Sequence, residues 1–322
     1  MRVFLTSVAS LALLAACNGE APETIDEAPD EAVDEAADEG AGAIESTAED
    51  AEDMLSDLAG AVEDEVQAAM DAPSLEQVLA APRREADRAR DQYRNPRETL
   101  EFFGVQPGDT VVEALPGSGW YGRILAPWLA AEGEYYGLNY SMGIFEQIFP
   151  NMSEEQRVRF EGWEAGFPGM AAEWGGQAAG TYTLGSIPDS AAGTADVVLY
   201  VRALHNMARF GEMDVAVNDA WTLLRPGGTV GVVQHRAPAD ETDERADGSR
   251  AYLREADVIA AFEARGFILE ASSEVNANPD DPADHEIGVW ALLPTLAGTD
   301  EDREERMSIG ESDRMTLRFR KP

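Results

Sequence analysis

The chain has one cysteine, Cys17, and one lysine, Lys321, in 322 residues. A lone cysteine excludes an intrachain disulfide, so the fold must hold without staples. It also leaves no thiol for covalent cytosine chemistry, and the N-terminal position of Cys17 does not suit a Cys–His nucleophile. Basic residues are scarce: 24 Lys and Arg stand against 62 Asp and Glu, for a net charge of −38. Such a surface repels nucleic acid, which proteins hold by neutralising phosphates with Lys and Arg. The apolar run Val3–Leu14 is too short to cross a bilayer as a helix. What the chain has in plenty is apolar residues, 44% of the total and ample for a packed core.

The N-terminus carries Arg2, then the apolar run, then Leu14-Ala15-Ala16-Cys17. This order is that of an export signal. The last four residues resemble the lipobox of bacterial lipoproteins, in which the cysteine is acylated and becomes the mature N-terminus. The resemblance implies a lipoprotein signal peptide over 1–17 and lipidation at Cys17. It also implies a protein anchored in the bacterial cell envelope and facing the periplasm. Asn18 is not the aspartate that marks inner-membrane retention, so the outer membrane is the expected site. An ordinary cleaved signal is the alternative.

Between Asn18 and Pro82 lie 21 acidic residues and no Lys or Arg. Few apolar groups and like charges predict a disordered, extended acidic tether over 18–73. Within it Leu55, Leu58, Val62, Val66 and Met70 recur at helical spacing. The polar face of that helix would be wholly acidic, which disfavours an anionic membrane surface.

From Ser74 the composition becomes that of a globular domain, 74–322. Ser74 with Gln77 predicts a capping box. DRARDQYRNPRETLEFFG predicts a helix broken at Pro96 and closed at Gly104. Strands are predicted at 110–115, 135–140, 181–186, 195–201, 229–235, 267–275 and 314–320. Helices are predicted at 120–131, at 143–163 with Pro150 interrupting, at 213–224 and at 253–265. The alternation predicts an α/β fold, doubly wound and Rossmann-like, with a mostly parallel seven-stranded sheet. Ligands of such sheets bind at the carboxyl ends of the strands. Glu113 and a glycine loop follow the first strand, and Asn139 and Tyr140 the second. Arg202, His205 and Asn206 follow the fourth, and Gln234, His235 and Arg236 the fifth. Two of the three histidines thus share one predicted edge.

Gly117-Ser118-Gly119-Trp120-Tyr121-Gly122 matches G-x-G-x-x-G. A nicotinamide enzyme would place its glycines directly after the strand and an acid at the end of strand two, where Asn139 stands. Here Glu113 comes first, giving E-x-L-P-G-S-G, which resembles the first motif of class I S-adenosylmethionine-dependent methyltransferases. The blocks at 90–129, 201–207, 230–238, 272–285 and 312–322 resemble a family of exported bacterial proteins described as predicted methyltransferases. That likeness spans about 85–322.

The resemblance implies S-adenosylmethionine as cofactor. It would be held by Glu113, Gly117, Ser118, Gly119, Trp120, Tyr121, Asn139, Tyr140 and Arg202. Glycines would let the backbone approach the amino-acid head, where a Cβ would clash. Glu113 would accept from the ammonium. Trp120 or Tyr121 would either face the sulfonium or simply pack the helix. Two positions depart from the motif. Leu115 stands for the usual first glycine, and Asn139 for the usual ribose-binding acid, without charge assistance.

A hydroxyl acceptor needs its proton removed, and His205 and His235 are the candidate catalytic groups, unless each only caps a strand end. Tyr93, Arg94, Asn206 and Arg236 are candidates for the substrate side, with an acidic partner as the alternative for Arg236. The acidic stretch NPDDPADHE around His285 has neither EF-hand nor zinc spacing and reads as a solvated loop, so no metal is expected. No D/N-P-P-Y follows strand four, which disfavours amino-group methylation of adenine or glutamine. The sequence therefore points to a methyltransferase acting on a small molecule at oxygen. Its partners would be that acceptor and the membrane through Cys17, and not nucleic acid. The alternative is a non-catalytic envelope binding protein on the same fold, because this cofactor is made in the cytoplasm. A cavity blocked by Leu115 or Trp120 would favour the alternative.

Overall fold

Paired apolar residues set the layers. Successive side chains of a strand face opposite ways. A buried pair such as Val111-Val112 or Val197-Val198 therefore needs an apolar layer on each face of the sheet. The computed structural model, which describes Met54 and residues 72–322, has both. Val112 and Val198 pack in one cluster with Ala216, Val258 and Phe262. Val111 and Val197 pack in a second with Leu100, Ile124 and Phe167. The chain divides between residues 64 and 65, and every element below belongs to the second unit. The expected signal peptide, Cys17 and nearly all of the tether lie outside the described residues. No helix among the described residues is long and apolar enough to cross a membrane.

The sheet strands are β1 (Thr110–Ala114), β2 (Glu134–Asn139), β3 (Gly180–Thr183), β4 (Ala195–Val201), β5 (Leu224–Ala237), β6 (Leu253–Arg254), β7 (Ile268–Ser273) and β8 (Arg314–Arg320). Their order is β3-β2-β1-β4-β5-β8-β7, with β6 paired to the end of β5. The pairs β1–β2, β1–β4, β2–β3 and β4–β5 are parallel, whereas β8 runs antiparallel to β5 and β7. This is the α/β, Rossmann-like, mostly parallel architecture expected, with β6 as a short addition. The order reverses between β1 and β4, and that switch point places the site.

Helices α1 (Leu75–Ala80), α2 (Glu85–Arg88), α3 (Asp91–Arg94) and α4 (Pro96–Phe103) precede β1, and Ser74 and Gln77 form the predicted capping box on α1. Helix α5 (Gly122–Leu129) follows β1. The predicted helix at 143–163 is in fact two, α6 (Met142–Ile148) and α7 (Glu154–Glu161), divided around Pro150. An unexpected α8 (Trp163–Glu173) comes next, hidden by the glycines and proline of WEAGFPGMAAE. The remaining helices are α9 (Leu204–Arg209), α10 (Met213–Leu223), α11 (Glu255–Arg265) and α12 (Arg303–Ile309).

The acidic stretch around His285 is more than a solvated loop. Asp281 is buried and accepts hydrogen bonds from the Tyr252 hydroxyl (3.1 Å) and from the amides of Ala283 (2.9 Å) and Asp313 (2.8 Å). His285 Nε2 lies 3.1 Å from the same carboxylate. One buried carboxyl thus ties the segment after β7 to the start of β8.

Candidate active site

Two cavities open beyond the carboxyl ends of the parallel strands. One, of about 520 Å³, lies past β1 and β2, and Gly117, Asn139, Tyr140, Phe145, Phe160 and Trp163 are among its walls. The other, of about 360 Å³, lies past β4 and β5, and its walls include Ser118, Trp120, His205, His235, Trp290 and Glu311. They meet across Leu115, Pro116, Gly117, Arg202 and Asn206, which line both.

The loop after β1 takes its shape from left-handed residues. Leu115 (φ 53°), Gly117 (57°) and Gly119 (78°) all have positive φ. Leu115 holds this conformation with a side chain, at a cost of roughly 1–2 kcal/mol. It packs against the core and closes neither cavity. Around Gly117 a Cβ would find open space, with only the Leu115 carbonyl at 3.7 Å. At Gly119 and Gly122 a Cβ would overlap the Trp174 indole. Those two glycines answer to protein packing, so the expectation that all the loop glycines clear room for a ligand is corrected: only Gly117 lines the cavities.

Two further expectations change. Glu113 lines neither cavity. It is buried and accepts from the Tyr135 hydroxyl at 2.6 Å. Burial pushes its carboxyl up to about 7, against the opposing pull of that hydrogen bond and of Arg202. Tyr121 is also buried away from both cavities, edge-on to Trp120 at 4.9 Å. Burial raises its hydroxyl to about 12. Of the motif's side chains, those of Glu113 and Tyr121 are buried within the protein, whereas Ser118 and Trp120 line the cavity past β4 and β5.

The two histidines come together as predicted, with ring centroids 5.6 Å apart. Both are buried. The Gln234 amide nitrogen donates to the Ala251 carbonyl at 2.7 Å, which leaves its Oε1 to accept from the His205 backbone amide (3.2 Å). That oxygen also lies 3.3 Å from His205 Nδ1. An amide oxygen only accepts, so Nδ1 carries the proton and Nε2 is left basic. Burial lowers His205 to about 4. His235 Nδ1 meets Ser312 Oγ at 2.5 Å, and burial holds this imidazole well below its ordinary range.

Arg202 follows β4 with φ 55°, and its amide donates to the Val233 carbonyl at 2.6 Å. Its Nε is buried and has no hydrogen-bond partner among the described residues. Desolvation lowers its guanidinium to about 10. The substrate-side candidates divide. Asn206 lines both cavities. Arg236 does not reach either, because Asp313 (2.8 Å), Glu274 (2.7 Å) and Glu255 (3.2 Å) hold it and raise its pKa. Tyr93 packs against Gly310 and offers its carbonyl to Arg314. Arg94 lies behind the wall, 4.7 Å over the Trp120 ring. From that helical stretch it is Arg90 that lines the cavity.

Other wall residues carried no sequence signal of their role. Phe145 and Phe160 stack at 4.1 Å between α6 and α7. Glu311, just before β8, is buried and pairs with Arg90 (2.6 Å), Arg94 (3.1 Å) and Arg314 (3.3 Å). Glu311 stands one residue before the block SDRMTLRFRKP and so escapes the sequence reading. No group of three His, Cys, Asp or Glu among the described residues is placed to hold a metal ion.

By sequence, no family profile and no curated protein matches the chain. By structure it is similar to a SAM-dependent methyltransferase from Aquifex aeolicus, 15% identical over 63% of this chain and 94% of that one, with a TM-score of 0.38. It is similar to geranyl diphosphate C-methyltransferase from Streptomyces coelicolor A3(2), at 12% identity, 76% and 87% coverage and a TM-score of 0.43. The [4+2]-cyclase SpnF is a further likeness, at 16%, 71% and 80%, with a TM-score of 0.43. At these identities and scores no activity passes from them to this chain.

Proposed function

We propose that the chain is an S-adenosylmethionine-dependent methyltransferase that methylates a small molecule at oxygen. One observation carries this reading: the loop 115–117 and Arg202 stand between two open cavities, one aromatic-walled and one holding both histidines. The first has the volume of a typical cofactor site. Leu115 and Trp120 leave both cavities open, which removes the feature that would favour a non-catalytic binding protein.

Phe145, Phe160 and Trp163 fit the adenine, Asn139 the ribose hydroxyls, and the backbone at Gly117 the amino-acid end. When bound, the cofactor supplies a methyl group on a sulfonium for in-line displacement. The chain's part is to align the acceptor oxygen and to take its proton, and alignment provides most of the catalysis. His205 Nε2 is the base, fixed in that tautomer by Gln234. It stays neutral across physiological pH and so is always able to accept. Its low basicity is offset by Arg202 and Arg90, whose charges favour the oxyanion form of an acceptor hydroxyl. Lipidation of Cys17 and outer-membrane placement belong to the same proposal. Mass spectrometry of the mature N-terminus, with Cys17→Ser as control, tests them.

Calorimetric titration with S-adenosylmethionine, S-adenosylhomocysteine and NAD tests the cofactor. Micromolar binding of the first two, lost in Gly117→Trp, is expected. No binding at millimolar concentration would end the enzyme reading.

A further inference from the structure

The cavity past β4 and β5 holds more positive charge than its own carboxylates balance. Arg90, Arg94 and Arg314 share the single carboxylate of Glu311. Arg202 stands beside them, and among the described residues its buried Nε has no hydrogen-bond partner. Glu113, which feels the charge of Arg202, is buried and occupied by Tyr135. The two histidines are held neutral and add no charge.

Unused donors mark the same place. Behind the wall, Arg94 is 2% exposed, and among the described residues both of its terminal nitrogens are buried without a hydrogen-bond partner. Trp120, 6% exposed, lines the cavity, and its buried indole N–H likewise has no partner among the described residues. Buried donors and charges left unmatched are costly, and native proteins rarely leave several together. Three guanidinia on one carboxylate, with Arg202 beside them, form a site short of an anion. The facing wall, Val289, Trp290, Leu293 and Pro294, is apolar.

We infer that the methyl acceptor is a small molecule with an anionic head, a carboxylate or phosphate, seated against Arg90, Arg202 and the Trp120 indole, and with an apolar body against the 289–294 wall. Guanidinium forks match both oxyanions, and an indole N–H adds a single donor. The inference rests on the methyltransferase reading only in naming the anion as the acceptor.

The test is calorimetry on the full chain saturated with S-adenosylhomocysteine, whose own binding is measured first. Benzoate, phenyl phosphate and the uncharged isostere benzamide are the probes. At least one anion is expected to bind 30-fold or more tightly than benzamide, and which one does so separates carboxylate from phosphate. Arg90→Gln leaves Glu311 two arginine partners, and Trp120→Phe keeps the ring. Each is expected to weaken the anion 5-fold or more and leave benzamide unchanged. Equal binding of anions and benzamide overturns the inference. So does anion binding that disappears when S-adenosylhomocysteine is present, because the anion would then occupy the cofactor's own carboxylate position. Binding of the anions to a chain that does not bind S-adenosylhomocysteine overturns the methyltransferase reading and leaves the anion site standing. The wild-type comparison alone decides if a variant does not fold.

Discussion

Glu113 is the residue at which expectation and structure part most sharply, and its chemistry sets a testable pH dependence. Its position at the end of β1 suggests a ligand carboxylate, yet its partner is Tyr135 and its surroundings are protein. Burial raises it from 4.5 to about 7. Below about pH 4.5 the carboxyl is protonated in both folded and unfolded chains and carries no penalty. As pH rises through 4.5–7 the unfolded chain releases a proton that the folded chain keeps, so stability falls. Above about pH 7 the loss is complete, at roughly 3 kcal/mol. Glu113→Gln keeps an acceptor for the tyrosine and removes the charge. Urea melts should show it equal to wild type at pH 4 and more stable by roughly 3 kcal/mol at pH 8. His205, lowered to about 4, works in the opposite sense between its folded pKa and 6.5, but it is common to both proteins and cancels. A variant less stable than wild type at pH 8 would mean that the ionised carboxylate serves a partner.

At the scale of elements, α8 explains two of the three glycines in the motif. Trp174, at its carboxyl end, occupies the notch that Gly119 and Gly122 leave beside α5. Gly119→Ala should therefore cost several kcal/mol by overpacking and positive φ together. Gly117→Ala meets only the backbone penalty of about 1 kcal/mol. Thermal melts of the pair, read beside S-adenosylhomocysteine binding, check this: Gly119→Ala should lose stability first and Gly117→Ala affinity first. Equal melting temperatures would show that the Trp174 notch is not tight. The same helix shows where legibility ends. Strands β1, β4 and β5 can be read from the sequence because runs of branched apolar residues between turns have few other uses in a two-faced sheet. The edge carrying Asn139, Arg202, His205 and His235 follows from them. Helix α8 cannot be read, because its glycines and proline argue against a helix and only tertiary packing overrides them. Nor can the cationic cluster, since Arg90 and Arg94 reach Glu311 across 221 and 217 residues of chain. No local pattern encodes that convergence.

For the whole molecule the contrast is between a net charge of −38 and a cavity lined by guanidinia. The acidic excess is general, with 21 of the 62 acids between Asn18 and Pro82 and the rest spread beyond. An anion approaching from solution meets repulsion first and the arginines only at contact. The Debye length is about 30 Å at 10 mM salt and about 8 Å at 150 mM. At low salt the whole field acts on the ligand, and at physiological salt only the cavity does. Association of benzoate should therefore quicken several-fold between these conditions, while that of benzamide stays constant. Dissociation, governed by half-buried guanidinia inside the cavity that salt screens less than surface charges, should change little. Stopped-flow fluorescence can follow both, since Trp120 and Trp290 line the cavity. Slower association at high salt would mean that the arginine field extends past the acidic surface and itself draws the ligand in.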